Sequence, residues 1–224
     1  LDKSISVLIP AYNEEEKIED TIKSIRELEG VYEVVVVDDG SIDNTYQKAS
    51  NLATKVIRLE QNQGKGTALN RGLKEVSGDI ILLLDADLGN SSIEAMKLVE
   101  PLLAGRADMS IAKFPQSQTK GGFGLVKGLA NWGLKKLTCQ EFSAPLSGQR
   151  ALSKDVVKKV SSFAKGFGVE VCLTVDVCQA GFRVEEVPVM MKHRESKRDI
   201  QGFIHRGRQF KDVALVLFSK IRRV

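Results

Sequence analysis

Cysteine is scarce in this chain. Cys139, Cys172 and Cys178 are the whole supply among 224 residues. An odd number at these spacings fits neither a disulfide framework nor a zinc site. A reducing setting is the simpler one, and a cytoplasmic location is expected. Long apolar runs are missing too: no stretch approaches the roughly 18 residues that span a bilayer, and the chain opens on a strand-like run, not a secretory leader. Because it begins at Leu1 and not Met, a membrane segment outside the given sequence stays open. Aromatics are 6% and the net charge is +4, with a pI of about 8.9. Neither value argues for nucleic acid, and no such partner is expected.

What is present can build a core: 42% of residues are hydrophobic and 28% charged. Strand and helix signals alternate. ISVLI (5–9) reads as a strand, and Pro10 ends it. EEEKIEDTIKSIREL (14–28) reads as a helix, with Ile18, Ile22 and Ile25 on one face and acids in its first turn. YEVVVVD (32–38) is a continuous β-branched run, as expected of a strand covered on both faces. SIDNTYQKASNLA (41–53) opens with capping residues and turns helical. KVIRL (55–59), GTALNRGLKEV (66–76) and DIILLLD (79–85) continue as strand, helix and strand. This rhythm predicts βαβ units and a mostly parallel sheet. Beyond it, SIEAMKLVEPLLAG (92–105) reads as a helix, ADMSIAK (107–113) as a strand and FPQSQTKGG (114–122) as a loop. GLVKGLANWGLKKL (124–137) is helical, and APLSGQRAL (144–152) is a turn running into extended chain. VEVCLTVDVCQAG (169–181) is a helix capped by Gly181, FRVEEVPV (182–189) a strand, and the chain from Asp199 a basic helix.

Sites in such sheets lie beyond the carboxyl ends of the strands. Four polar clusters fall there: PAYNEE, DDGSIDNT, QNQGKG and DADLGN. Asp85 and Asp87 lie two apart at a strand end and project to one side. Two such carboxylates repel unless a cation lies near. Mg²⁺ or Mn²⁺ takes oxygen ligands and keeps substrate phosphates, so the pair reads as a metal–diphosphate site; the plain alternative is a surface turn with Asp87 as a helix cap. Asp38 and Asp39 end the second strand, where a carboxylate can accept hydrogen bonds from a base or ribose, while Ser41 to Thr45 read first as turn and cap residues. Glycines flank Lys65 before a helix start, where backbone can approach an anion. Neither a P-loop nor a dinucleotide fingerprint is present. The segment 190–209 holds Lys192, Arg194, Lys197, Arg198, Arg206 and Arg208 together with both histidines, His193 and His205: a solvated basic face or a phosphate clamp.

In this order, VLIPAYNEE, VVVVDDGSIDNT, NQGKGTALNRG, LLLDADLG, PLSGQRAL and GFRVEEVPV resemble the family 2 glycosyltransferases of the GT-A fold, over residues 7–189. The resemblance implies a single α/β GT-A domain over 1–224 with a central mixed, mostly parallel sheet. Residues 1–113 would bind a nucleotide-sugar donor, with UDP expected, and 114–224 the acceptor. It implies that Pro10, Ala11, Tyr12, Glu14, Asp39, Lys65, Asp85, Ala86 and Asp87 hold the nucleotide, and that Mg²⁺ or Mn²⁺ sits on Asp85 and Asp87, with Asp87 the direct ligand. Two subgroups compete for the acceptor half. SGQRAL is similar to an element of the polyprenyl-phosphate sugar synthases, with Gln149 where an aromatic is usual, and Arg194 follows Pro188 at their Pro…Arg spacing. Gly89, however, stands where they carry Gln. The soluble glucosyl-phosphoglycerate synthases use a C-terminal histidine on the metal and arginines on the acceptor phosphate. His193 would fill that ligand position, with Arg194 as a catalytic residue and Gly148, Gln149, Arg194, Lys197 and Arg198 around a phosphorylated acceptor. A phosphate nucleophile needs little base assistance; a hydroxyl would need a carboxylate, and neither Glu170 nor Asp176 is assigned that role. A nucleotidyltransferase and a non-catalytic sugar-nucleotide module stay open as other classes. The C-terminal stripe of Phe210, Val213, Ala214, Leu217 and Ile221 packs on the domain or lies on an anionic membrane. A homodimer stays open.

Overall fold

A computed structural model describes residues 3–115, 124–160, 163–164, 166–192 and 200–222. His193, Arg194, Lys197 and Arg198, and most of the loop expected over 114–122, lie outside them. Among the described residues, seven strands form one sheet: β1 (Ile5–Ala11), β2 (Val31–Asp38), β3 (Lys55–Arg58), β4 (Ile80–Leu83), β5 (Met109–Lys113), β6 (Arg150–Ser153) and β7 (Val184–Pro188), in the order β3-β2-β1-β4-β6-β5-β7. β1 pairs in parallel with β2 and β4, β2 with β3, and β5 with β7. β6 alone runs against its neighbours, β4 and β5. The mixed, mostly parallel sheet expected from the alternating pattern is present. It runs unbroken from the first half of the chain into the second.

The helices are α1 (Ile18–Arg26), α2 (Thr45–Ser50), α3 (Lys65–Gly72), α4 (Met96–Leu103), α5 (Leu125–Thr138), α6 (Lys154–Val160), α7 (Val169–Gln179) and α8 (Ile200–Ile221). They cover both faces. Val34 and Val36 of β2 face a core with Ile18, Ile22 and Ile25 of α1 and Leu98 of α4. Val35 and Val37 face the opposite core, with Leu69, Leu134, Leu173, Val213 and Leu217. A strand alternates its side chains, so a run apolar at every position needs cover on both sides, and it has it.

Several local expectations are corrected. Pro10 does not end β1; it sits within the strand, opposite Val37 of β2. In a parallel ladder, alternate residues turn their backbone groups to opposite neighbours. Pro10 turns toward β4, whose pairing has stopped at Leu83, so its missing N–H costs no ladder bond. The helix expected over 41–53 shrinks to α2, because its polar residues serve another segment. Ser41 Oγ accepts the Asn13 amide at 2.9 Å, Thr45 Oγ1 the Glu14 amide at 2.8 Å and Asp43 Oδ2 the Glu15 amide at 3.2 Å. Ser41 and Thr45 satisfy free amides before α1 instead of capping α2, while Asp43 does both, its Oδ1 accepting the Thr45 amide at 2.9 Å. The helix expected over 92–105 is a 3-10 turn over Gly89–Ala95 followed by α4. α6 was not anticipated.

Gly40 makes the tip of β2 possible. Its φ is +73°, and a Cβ there would lie 2.6 Å from the Gln61 carbonyl carbon. Gly40→Ala is expected to cost roughly 2–4 kcal/mol, combining a left-handed residue with a backbone clash. A denaturant melt measures the loss; a change below about 1 kcal/mol would mean that the loop over 61–64 yields freely.

Candidate active site

Parallel strands deliver β1, β2, β3 and β4 to one rim, and the segment after β4 carries the carboxylate pair. Ala86 and Leu88 point inward and are buried. Asp85 and Asp87 face outward and line one cavity. Thr21, buried on α1, anchors this segment: its hydroxyl accepts the Gly89 amide at 2.8 Å and lies 2.9 Å from the Ala86 carbonyl. The tight turn at Gly89, with φ +55°, lies directly beneath the Lys17 side chain.

The cavity has a volume of about 310 Å³, the lower end of small-ligand sites. Its walls include Pro10, Ala11, Tyr12, Glu14, Asp39, Lys65, Asp85, Ala86 and Asp87, all nine residues expected at the nucleotide, and add Asn62, Gly64 and Ala68. Asp39 is almost fully buried. Its two oxygens accept the amides of Gln63 and Gly64 at 2.8 Å each, so it also fixes the loop that opens α3. Asp38 does not line the cavity. It accepts the Ser41 amide at 3.1 Å and pairs with Arg58 at 3.3 Å, holding the β2 turn.

Lys65, on the first turn of α3, lies between two carboxylates. Its ammonium is 2.7 Å from Asp85 Oδ1 and 3.1 Å from Glu170 Oε1 of α7. Burial lowers the lysine pKa, but the charges of Asp85 and Glu170 and their hydrogen bonds outweigh it. The net shift is upward, so the ammonium keeps its charge at neutral pH. The second oxygen of Asp85 accepts the Gln149 side-chain amide at 2.6 Å. The turn carrying Gln149 is held by buried Arg150, which donates to the Ser147 carbonyl at 2.9 Å, to Thr174 Oγ1 at 2.8 Å and to the Pro145 carbonyl at 3.4 Å. Burial pulls that guanidinium down to about 10, against the opposing charge of Glu170.

A second cavity, about 590 Å³, shares Asp85 with the first. It is lined by Lys113 and Lys127, by Phe114 and Pro115, and by the turn from Ser143 to Gln149. Gly148 and Gln149, expected at the acceptor, line it. Among the described residues no group of three His, Cys, Asp or Glu is placed to hold a metal. The set that is present, oxygen-only carboxylates at an open rim, suits a hard cation that keeps water and phosphate ligands. Sequence reasoning missed the Gln149–Asp85 contact, the Lys65–Glu170 pair and Thr21. No local signal marks them, since each joins segments far apart in the chain.

This sheet order and rim are those of an α/β fold of the GT-A type. The solved glucosyl-3-phosphoglycerate synthase of Mycobacterium tuberculosis, in complex with Mn²⁺, UDP and phosphoglyceric acid, matches it with a TM-score of 0.80 and 31% identity, over 97% of this chain and 78% of that one. The family model described as glycosyl transferase family 2 matches residues 6–151. The chain belongs to glycosyltransferase family 2. Among its relatives, the dolichol-phosphate mannosyltransferase of Pyrococcus furiosus is 36% identical over 186 residues, 74% of this chain and 50% of that protein. The M. tuberculosis synthase is 35% identical over 197 residues, 78% of this chain and 60% of the synthase. The chain thus spans little more than half the length of these relatives.

Lys65→Met leaves Asp85 and Glu170 without their shared cation. A loss of roughly 1–3 kcal/mol is expected, less than for a fully buried pair because Lys65 is partly exposed. Lys65→Met combined with Glu170→Gln should recover part of it in a double-mutant melt; strict additivity would show that the contact contributes nothing.

Proposed function

We propose that the protein transfers a sugar from a nucleotide diphosphate sugar, UDP-linked, to a phosphate-bearing acceptor. One observation carries the reading: all nine residues expected at the nucleotide line a single cavity, and a larger cavity with two lysines meets it at Asp85. Solved relatives hold UDP with Mn²⁺ or Mg²⁺. In this reading the base packs over Pro10 to Tyr12, and Glu14 and Asp39 meet its polar edges. Lys65 and Asp85 lie beside the ribose and diphosphate. Asp87 is the direct carboxylate ligand of Mg²⁺ or Mn²⁺, with His193 as a further ligand. Bound there, the cation supplies Lewis-acid stabilisation of the leaving diphosphate. Gly148 and Gln149 wall the acceptor cavity, while Lys113 and Lys127 attract an anionic acceptor alongside Arg194, Lys197 and Arg198. Arg194, the catalytic candidate, would meet charge developing at the transferred group.

Titration calorimetry with UDP and GDP, with and without Mn²⁺, tests the donor. UDP is expected to bind only with metal, and Asp87→Ala to lower that affinity at least tenfold and abolish sugar transfer. Metal-independent binding, or none, would overturn the reading.

A lipid-linked phosphate is the second reading, favoured by one surface. Leu125 and Trp132 of α5 and Leu215 and Phe218 of α8 are each more than half exposed, and Lys136 lies 5.4 Å from the centre of the Trp132 ring. Lys211 of α8 and Arg222 just after it are also exposed. Such mixed faces bind anionic interfaces peripherally. Among the described residues no helix is long and apolar enough to cross a membrane. Flotation with phosphatidylglycerol vesicles should carry the protein, and Trp132→Ser with Phe218→Ser should release it. Equal flotation with neutral vesicles would argue against an electrostatic contribution.

A further inference from the structure

We propose that Gln149 is a positioning residue, which sets the Asp85 carboxylate of the donor cavity from the acceptor side; this rests on the donor reading above. The contact follows from strand direction. β6 runs antiparallel to β4, with Arg150 opposite Leu83. The start of β6 therefore lies at the carboxyl end of β4, and Gln149 falls beside the segment that leads into Asp85. Its side chain is buried, with about 2% of the residue exposed.

The amide has one orientation that suits its neighbours. Ser147 Oγ donates to Gln149 Oε1 at 3.4 Å, while Nε2 donates to Asp85 Oδ2 at 2.6 Å. Reversing it would turn an acceptor oxygen on the carboxylate. Lys65 holds the other oxygen, Oδ1, at 2.7 Å. Each oxygen of Asp85 thus has a fixed donor, one cationic and one neutral, and the carboxylate is held in one plane. The donors reach Asp85 from opposite cavities: Lys65 lines the donor cavity and Gln149 the second one.

Two further features serve this geometry. A Cβ on Gly148 would fall 2.3 Å from Lys65 Nζ and 3.0 Å from Asp85 Oδ2, so a side chain there would displace the Lys65 ammonium from its place on Asp85. Arg150 ties the carbonyls of Pro145 and Ser147, which fixes the turn that aims Gln149. A side chain needed only to fill space would not require an oriented amide, a glycine beside it and a buried guanidinium beneath. Hydrogen bonds to a charged acceptor are the stronger kind, and this one orients Asp85 with a neutral donor.

The test has one arm that needs no ligand. In ligand-free protein, the Gln149 side-chain amide resonance is expected downfield of ordinary glutamine amides and slow to exchange, and Asp85→Asn should move it toward the ordinary position. In the second arm, Gln149→Met keeps the shape but removes the donor. It is expected to melt within a few degrees of wild type and to weaken Mn²⁺-dependent UDP binding about tenfold, with Gln149→Ala as a second variant. An ordinary, fast-exchanging amide would overturn the proposal. So would wild-type UDP affinity in Gln149→Met. Should the wild-type protein bind neither UDP nor GDP with metal, the donor reading falls, and the grip of Gln149 on Asp85 is then decided by the amide resonance alone.

Discussion

The Asp85 carboxylate is the point on which the site depends. It lies just beyond a buried strand, where a second aspartate stands two residues away, and such a pair is unfavourable without compensation. The protein compensates in two ways. Lys65 supplies charge from the donor side, backed by Glu170. Gln149 supplies a hydrogen bond from the other side without charge. This leaves the geometry of Asp85 settled before any ligand arrives, in line with the general rule that useful sites are preorganised rather than assembled on demand.

The rest of the fold reads as support for that arrangement. Thr21 fixes the turn after Asp87 through Gly89. Gly40 lets the β2 tip press on the loop over 61–64, and Asp39 then grips its amides, which places the start of α3 and so Lys65. Arg150 fixes the turn that carries Gln149. Most of these contacts join segments far apart in the chain. The buried guanidinium shows the cost of such support. It has carbonyl, hydroxyl and thioether partners, and desolvation lowers its pKa.

Much of the donor side was legible in the chain because it is local. A β-branched run, a polar cluster after it and a helix start are neighbours in sequence, and parallel topology brings successive clusters to one rim. That is why Pro10, Tyr12, Asp39, Lys65 and Asp87 share one rim, while their grouping at a nucleotide came from the resemblance to family 2 glycosyltransferases. The second cavity was less legible, because its walls come from the end of β5, the turn before the antiparallel β6 and Lys127 of α5, segments far apart in the chain. Gln149 was expected at the acceptor; it lines the second cavity, and its side chain turns to Asp85. Pro10 looked like a strand terminator, since proline lacks a donor; only the early end of β4 beside it made the strand tolerable.

The amino-acid sequence by itself determined the alternation of strands and helices, the double-sided burial of β2 and the placing of carboxylates at strand ends. Each follows from periodicity or turn chemistry within about twenty residues. Tertiary structure alone decided the antiparallel direction of β6, the pairing of Lys65 with both Asp85 and Glu170, and the diversion of Ser41 and Thr45 to the loop before α1. These depend on which distant segments meet, and a hydrogen-bonding side chain has no preference in sequence for the partner that burial eventually gives it.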